Sequence, residues 1–238
     1  MFKLRISVLL IVAALIASCG INSLTGSGNV VTQEESVADF NRLDVSHGFQ
    51  IEVQQGDSFS VVIRADDNLL DEVQVVKRGG TLQIGLKPSR SYGLINATLE
   101  ADVTMPELSG LDLSGGSHVT FDGFSMSSPF SADLSGGSHL KGEVDAGDAT
   151  FEVSGGSWVT LSGSAGDLMV NASGGSHAEL GELAVANAAV DASGGSHITV
   201  NPSGTLDADA SGGSHVRYLG NPTLGTIDDD DASSIKPE

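Results

Sequence analysis

A single cysteine, Cys19, stands in the 238 residues. No intrachain disulfide and no cysteine-built zinc site can therefore form. Aromatic side chains make up only 5% of the chain, too few for a core built on large rings. Basic residues are scarce as well: 11 Lys and Arg stand against 31 Asp and Glu, a formal net charge of −20. That balance repels nucleic acid and anionic lipid surfaces, and it favours solubility. The main apolar run, 6–17, is interrupted by Ser7 and is too short to cross a bilayer comfortably.

What the chain has instead is glycine, 31 residues of it, and the glycines fall at regular intervals. The pentapeptide Ser-Gly-Gly-Ser-His begins at Ser114, Ser135, Ser173, Ser193 and Ser211, and a sixth copy from Ser154 ends in Trp158. The steps between the six starts are 21, 19, 19, 20 and 18 residues. A period near 20 marks a repeat architecture and argues against low-complexity disorder. Each copy follows an apolar-polar-apolar triplet, such as Leu111-Asp112-Leu113 or Val190-Asp191-Ala192, and alternation resumes after it, as in Val119-Thr120-Phe121. Period-two alternation is the pattern of a half-buried strand. Each repeat therefore reads as strand, glycine corner, strand and a second, less regular turn.

Two geometries compete for the corner. If Gly-Gly were a hairpin turn, Leu113 would face His118 and Asp112 would face Val119, which puts apolar beside polar in every repeat. If Gly-Gly is a corner of a coil and successive coils stack in parallel, Leu113, Val119 and Phe121 point inward while Asp112, His118 and Thr120 point outward. The second geometry fits the pattern. It predicts an all-β chain: a right-handed parallel β-helix, or solenoid, of coils of about 20 residues, with the hand supplied by the resemblance described below. Leu43-Asp44-Val45-Ser46-His47-Gly48-Phe49-Gln50-Ile51 aligns as a degenerate copy of the repeat. Strands are expected over 59–65, 73–76, 81–86 and 96–104, with a hairpin across Lys77-Arg78-Gly79-Gly80. One or two helical turns are expected over 66–72, capped by Asp66 or Asp67.

The N-terminus has its own logic. Lys3 and Arg5 precede the apolar run, which ends in Leu15-Ile16-Ala17-Ser18-Cys19. This resembles the lipobox of bacterial lipoproteins, and the resemblance implies cleavage after Ser18 and acylation of Cys19. Cleavage would remove two basic residues and no acid, moving the formal charge from −20 to −22. Gly20 follows the cysteine in place of an aspartate, which by likeness to Gram-negative sorting favours the outer membrane. The organisation expected is a signal peptide at 1–18, a tether at 19–27, an N-terminal β segment at 28–108, β-helical repeats at 109–220 and an acidic tail at 221–238. The tail reads as solvated chain that covers the open end or stays disordered.

Gly26-Ser27-Gly28-Asn29-Val30-Val31, the stretch 40–53, Ala65-Asp66-Asp67-Asn68-Leu69-Leu70, the turn Gly79-Gly80-Thr81-Leu82 and the serine-glycine repeats together resemble the head GIN domain family of putative auto-transporter adhesins. The resemblance runs from about Gly26 to Leu219. It implies a right-handed β-helical fold and a role in cell-surface adhesion. The histidine after the corner is not a feature it implies.

The candidate binding residues are that histidine series. In-register stacking makes His118 and His139 neighbours, and likewise His177, His197 and His215, with Trp158 splitting the series. Imidazoles about 5 Å apart could share a zinc or copper ion with flanking carboxylates. The competing reading is a polar residue copied along with its repeat. A calcium β-roll is ruled out, because the Gly-Gly-x-Gly-x-Asp nonapeptide is missing. Catalysis on polysaccharide needs a convergent set of groups, whereas Ser, His and Asp recur here in every coil. The reading is a non-enzymatic cell-envelope lipoprotein without a cofactor, adhesive or structural. It is held to the membrane through Cys19, with a cell-surface or glycan partner, no nucleic-acid partner and scope for homo-oligomers. Metal or glycan binding along the His and Asp face is the second reading, and a polysaccharide-active β-helix enzyme the third.

Overall fold

The computed structural model describes residues 22–87 and 92–238. The leader and Cys19 lie outside the described residues. Within them the chain is a solenoid of in-register parallel strands. Strands that precede the glycine corner form one wall, here called leading; strands that follow it form the other, called trailing.

The leading wall stacks Arg42–Val45, Gly110–Leu113, Phe130–Leu134, Ala149–Val153, residues 168–172, residues 188–192, Thr205–Ala210 and Thr223–Asp229 in that order. The trailing wall stacks Gln50–Gln55, His118–Ser125, His139–Asp145, residues 158–164, residues 177–185, His197–Pro202, His215–Tyr218 and Ser234–Pro237. Alternation sets the phase as expected. Leu113, Val119 and Phe121 are at most 4% exposed, while His118 and Thr120 face solvent. The inward residues of both walls form one continuous core, and Phe121 of a trailing strand meets Phe130 of a leading strand at 5.7 Å between ring centres.

The corner works because of its glycines. Gly115 and Gly116 have φ of 62° and 77°, and every later Ser-Gly-Gly-Ser corner repeats the pair. This left-handed backbone is open to glycine and strained for most other residues. The second serine of each corner is fully buried. Outside the corner from Ser154 its hydroxyl donates to the carbonyl of the first, as from Ser117 to Ser114 at 2.8 Å and from Ser196 to Ser193 at 2.7 Å. No buried side-chain nitrogen or oxygen among the described residues lacks a partner, as expected of a polar column inside an apolar core. The second turns are tied by another ladder. Asp148 Oδ1 accepts from the Asp167 amide at 2.9 Å, Asp167 Oδ1 from Asn187 Nδ2 at 2.8 Å, and Asn187 Oδ1 from the Thr205 amide at 2.9 Å.

The degenerate copy is a true coil. Leu43 pairs with Leu111, Val45 with Leu113 and Ile51 with Val119. Its corner is Ser46-His47-Gly48-Phe49, and His47 takes the glycine conformation with φ of 64°. Below this coil the segment 60–105 builds outward. Thr81–Leu86 continues the leading wall in parallel and turns through Gly79-Gly80 into antiparallel Val73–Arg78. Leu99–Met105 continues the trailing wall, followed by antiparallel Ser60–Asp66 and then Val30–Glu35.

Three expectations change. The helical turn over 66–72 shrinks to a 3-10 turn at Leu70–Glu72, and no side chain caps it. Asp66 and Asp67 are engaged elsewhere. Buried Asp66 accepts from the amides of Gly28 and Thr98, both at 2.7 Å. Asp67 accepts from Ser27 Oγ at 2.6 Å and Asn29 Nδ2 at 2.8 Å, and these hydrogen bonds hold its pKa below the usual carboxylate range. Part of the supposed tether is ordered: Asn22–Thr25 pairs in parallel with Tyr92–Ile95. The acidic tail is one more coil. Thr223–Asp229 pairs with the leading wall and Ser234–Pro237 with the trailing wall. Asp230-Asp231-Ala232-Ser233 turns its corner without glycine: the Ser233 amide donates to the Asp230 carbonyl at 3.0 Å, and Ser233 Oγ accepts from the Gly213 amide at 3.1 Å.

Candidate functional site

The residue after each buried serine must point outward, because the trailing strand restarts its alternation there. Parallel register then places Gln50, His118, His139, Trp158, His177, His197, His215 and Ser234 in one column. His118 and His139 stack with ring centres 4.4 Å apart and planes 6° from parallel. Trp158 stacks on His177 at 4.1 Å and 5°, and His177 on His197 at 4.9 Å and 5°. His215 turns edge-on to His197, at 61°, with its Nδ1 2.9 Å from Ser234 Oγ. Trp158 therefore opens the second run of stacked rings, Trp158, His177 and His197, while His118 and His139 form a separate stacked pair, so the series divides between His139 and Trp158 as expected.

This stacking limits what the column can do. Within each stacked run the ring faces cover one another. His118 Nδ1 lies 3.0 Å from the Gly116 carbonyl oxygen; an N–H there donates, which leaves Nε2 as the acceptor of the neutral ring. Parallel rings carry their nitrogens side by side along a line. Among the described residues no group of three or more His, Cys, Asp or Glu side chains is arranged to hold a metal ion.

A second column stands on the leading wall, where Asp44, Asp112, Asp133, Glu152, Asn171, Asp191, Asp209 and Asp228 share one register. Like charges at coil spacing repel, and the column is relieved where a partner reaches it. Arg42 pairs with Asp112 at 3.3 Å, Gln83 donates to Asp44 at 2.7 Å and Asn171 donates to Glu152 at 2.6 Å. Asp133 is held differently. Burial first, and then Asp112 and Glu152 beside it, push its pKa up.

A third feature is not visible in the motif. On the outward trailing face, two residues beyond the rings, runs the column Thr120, Lys141, Thr160, Glu179 and Thr199. Threonine is short, and the glycines Gly142 and Gly181 lie beside this column. Together they leave a groove of about 760 Å³ along the stack, bordered on its far side by Asp122, Glu143 and Glu182. Aligning the repeats exposes the short column; inspecting the Ser-Gly-Gly-Ser-His motif alone does not. Cys19, the expected lipid site, lies outside the described residues.

A family model described as "Putative auto-transporter adhesin, head GIN domain" matches residues 39–222. Among solved structures, one described as a putative adhesin from Bacteroides fragilis superposes with a TM-score of 0.84 at 21% identity, over 90% of this chain and 100% of that one. A structure described as a putative lipid binding protein from Parabacteroides distasonis gives 0.73 at 19% identity, over 91% and 100%. A putative adhesin from Parabacteroides merdae gives 0.66 at 14%, over 91% and 99%. At these identities the likeness shows a shared fold. No curated protein matches the chain.

Proposed function

This chain belongs to the head GIN domain family, described as putative auto-transporter adhesins, and from that premise we propose that it is a non-enzymatic adhesion module of the cell envelope, anchored in the outer membrane by lipid on Cys19. The observation that carries the reading is the repetition of the outward faces. One column of rings and one of carboxylates recur coil after coil. A surface that offers the same contact many times gains strength from many weak contacts to a polymer or another cell. Catalysis needs one convergent set of groups, and these columns supply a line.

Anchorage has a geometric consequence. The first described strand begins at Asn22, three residues past Cys19. Three extended residues reach roughly 10 Å, so a lipid on Cys19 would hold the N-terminal end of the solenoid close to the bilayer, with the coils of residues 109–238 stacked away from it.

The test is protease treatment of intact and of permeabilised cells, alongside labelling with an alkyne-tagged fatty acid. The reading expects cleavage of the solenoid in intact cells, and label that disappears in Cys19→Ser. A domain shielded in intact cells and cut only after permeabilisation would overturn the adhesive role. Label that persists in Cys19→Ser would overturn the anchor.

A further inference from the structure

We infer that the groove on the outward trailing face binds a linear glycan that carries no acidic groups, neutral or amine-bearing; this rests on the adhesion reading only for where such a chain is met. The first argument is shape. The groove crosses the rungs of Thr120, Lys141, Thr160, Glu179 and Thr199, four coil steps of about 4.8 Å, or roughly 19 Å. It runs along the stacking axis, so each rung presents its groups one coil step further on. A polymer of like sugar units advances in the same way and meets one rung per unit.

The second argument is chemistry. Thr120, Thr160 and Thr199 offer hydroxyls that both donate and accept, Lys141 donates, and Glu179 accepts. Asp122, Glu143 and Glu182 line the other side as acceptors. Dense acceptors beside hydroxyls suit the donors of a sugar, or of a protonated amine. Carboxylates outnumber the one lysine, in a chain of formal charge −20, so a uronate or phosphate polymer is repelled.

The third argument removes other occupants. Of the apolar side chains that line the groove, Phe121 and Leu161 are 4% and 1% exposed and Leu219 alone is half-buried, so an acyl chain or apolar peptide finds one apolar side chain to cover. The groove lies on the face of the wall, where the strands of His139–Asp145 and residues 158–164 are paired on both sides. An extended peptide therefore has no free edge there to extend.

The experiment is calorimetric titration of the purified full chain with three hexamers: cello-oligosaccharide, glucosamine oligosaccharide and galacturonate oligosaccharide. At least one of the first two is expected to bind at least tenfold more tightly than the galacturonate. Thr160→Trp, which fills the middle of the groove, is expected to weaken that binding at least tenfold. Met169→Lys, on the leading wall, leaves it unchanged. A second variant, Thr120→Lys, serves if Thr160→Trp lowers the melting temperature. Binding of galacturonate as tight as the others, binding untouched by both groove variants, or no binding of any hexamer at millimolar concentration would each overturn the inference. In the last case, cells that still bind the protein leave the adhesion reading standing, while loss of cell binding as well sinks both.

Discussion

The two glycines of one corner look alike in sequence and differ in what surrounds them, which makes them a sharp test of the stacking. At the corner from Ser193, Gly194 has φ of 62° and Gly195 has φ of 81°. A Cβ on Gly195 would meet nothing within 4 Å. A Cβ on Gly194 would stand 3.1 Å from the Gly174 amide nitrogen in the coil below. That neighbour is backbone held in the stack, so no side chain can swing away.

Gly195→Ala carries the left-handed strain alone, about 1–2 kcal/mol, partly offset because alanine stiffens the unfolded chain. The net cost is about 1 kcal/mol. Gly194→Ala carries the same strain and must also push neighbouring coils apart by a few tenths of an ångström, an overpacking cost of about 1–3 kcal/mol, for a total near 2–4 kcal/mol. In a domain of this size each kcal/mol moves Tm by roughly 2–4 °C. Thermal melts followed by far-ultraviolet circular dichroism should show a loss of about 3 °C for Gly195→Ala and about 6–12 °C for Gly194→Ala. Gly195→Asn should lie nearer to wild type, since asparagine visits this conformation more readily. Equal losses at the two positions, or a larger loss at Gly195, would refute the argument that coil-to-coil contact and turn strain act separately here.

Three further outcomes are expected. In the carboxylate column, Asp133 has its pKa raised by burial and by Asp112 and Glu152; its ionised form is therefore disfavoured in the fold, and its contribution is fully present below the unfolded value and lost as pH rises through the folded one. Asp133→Asn should raise stability at pH 7 by about 0.5 kcal/mol, less in high salt because the repulsion from Asp112 and Glu152 is screened, and the gap from wild type should close on acidification through the carboxylate range; an unchanged gap in urea titrations at both pH values would count against it. Ser196→Ala removes the donation from a fully buried hydroxyl to the Ser193 carbonyl and should cost about 1 kcal/mol in urea unfolding; a neutral or stabilising result would mean the serine column is not part of the stack's cohesion. Asp66→Asn replaces a buried acceptor of two amides by a group that can satisfy one of them; it should cost about 2–3 kcal/mol and open residues 22–29 to limited proteolysis, and continued resistance there would show that the strand pairing with Tyr92–Ile95 holds the segment unaided.

Local periodicity explains what is legible without coordinates. The choice between hairpin and coil rests on Asp112, Leu113, His118 and Val119, four residues within one repeat, and the burial of Leu113 and Val119 follows it. The coil at Leu43 is legible for the same reason, even with His47 in a glycine's place. Asp66 escapes such reasoning because its partners Gly28 and Thr98 lie 38 and 32 residues away, and no local pattern announces such a contact. The break of the histidine series at Trp158 is legible from residue type, whereas the stacking of Trp158 on His177 follows from position in the repeat.

The tail escapes it for a more instructive reason. Its run of acids resembles solvated chain, and its corner lacks glycine, so the cue that marks every earlier corner is missing. The inward positions nevertheless persist: Ile227 follows Ala208, Ser233 stands where Ser214 stood, and Ile235 follows Val216. Only one inward column breaks. Leu113, Leu134, Val153, Ala172, Ala192 and Ala210 succeed one another in register, and Asp229 comes next. Side-chain volume falls along that column and then charge replaces it. Asp229 keeps the register of that column but is exposed, and its charge beside Asp228 makes this strand a poor template for a further one, so the acids that disguise the coil are also what discourages indiscriminate pairing with other chains.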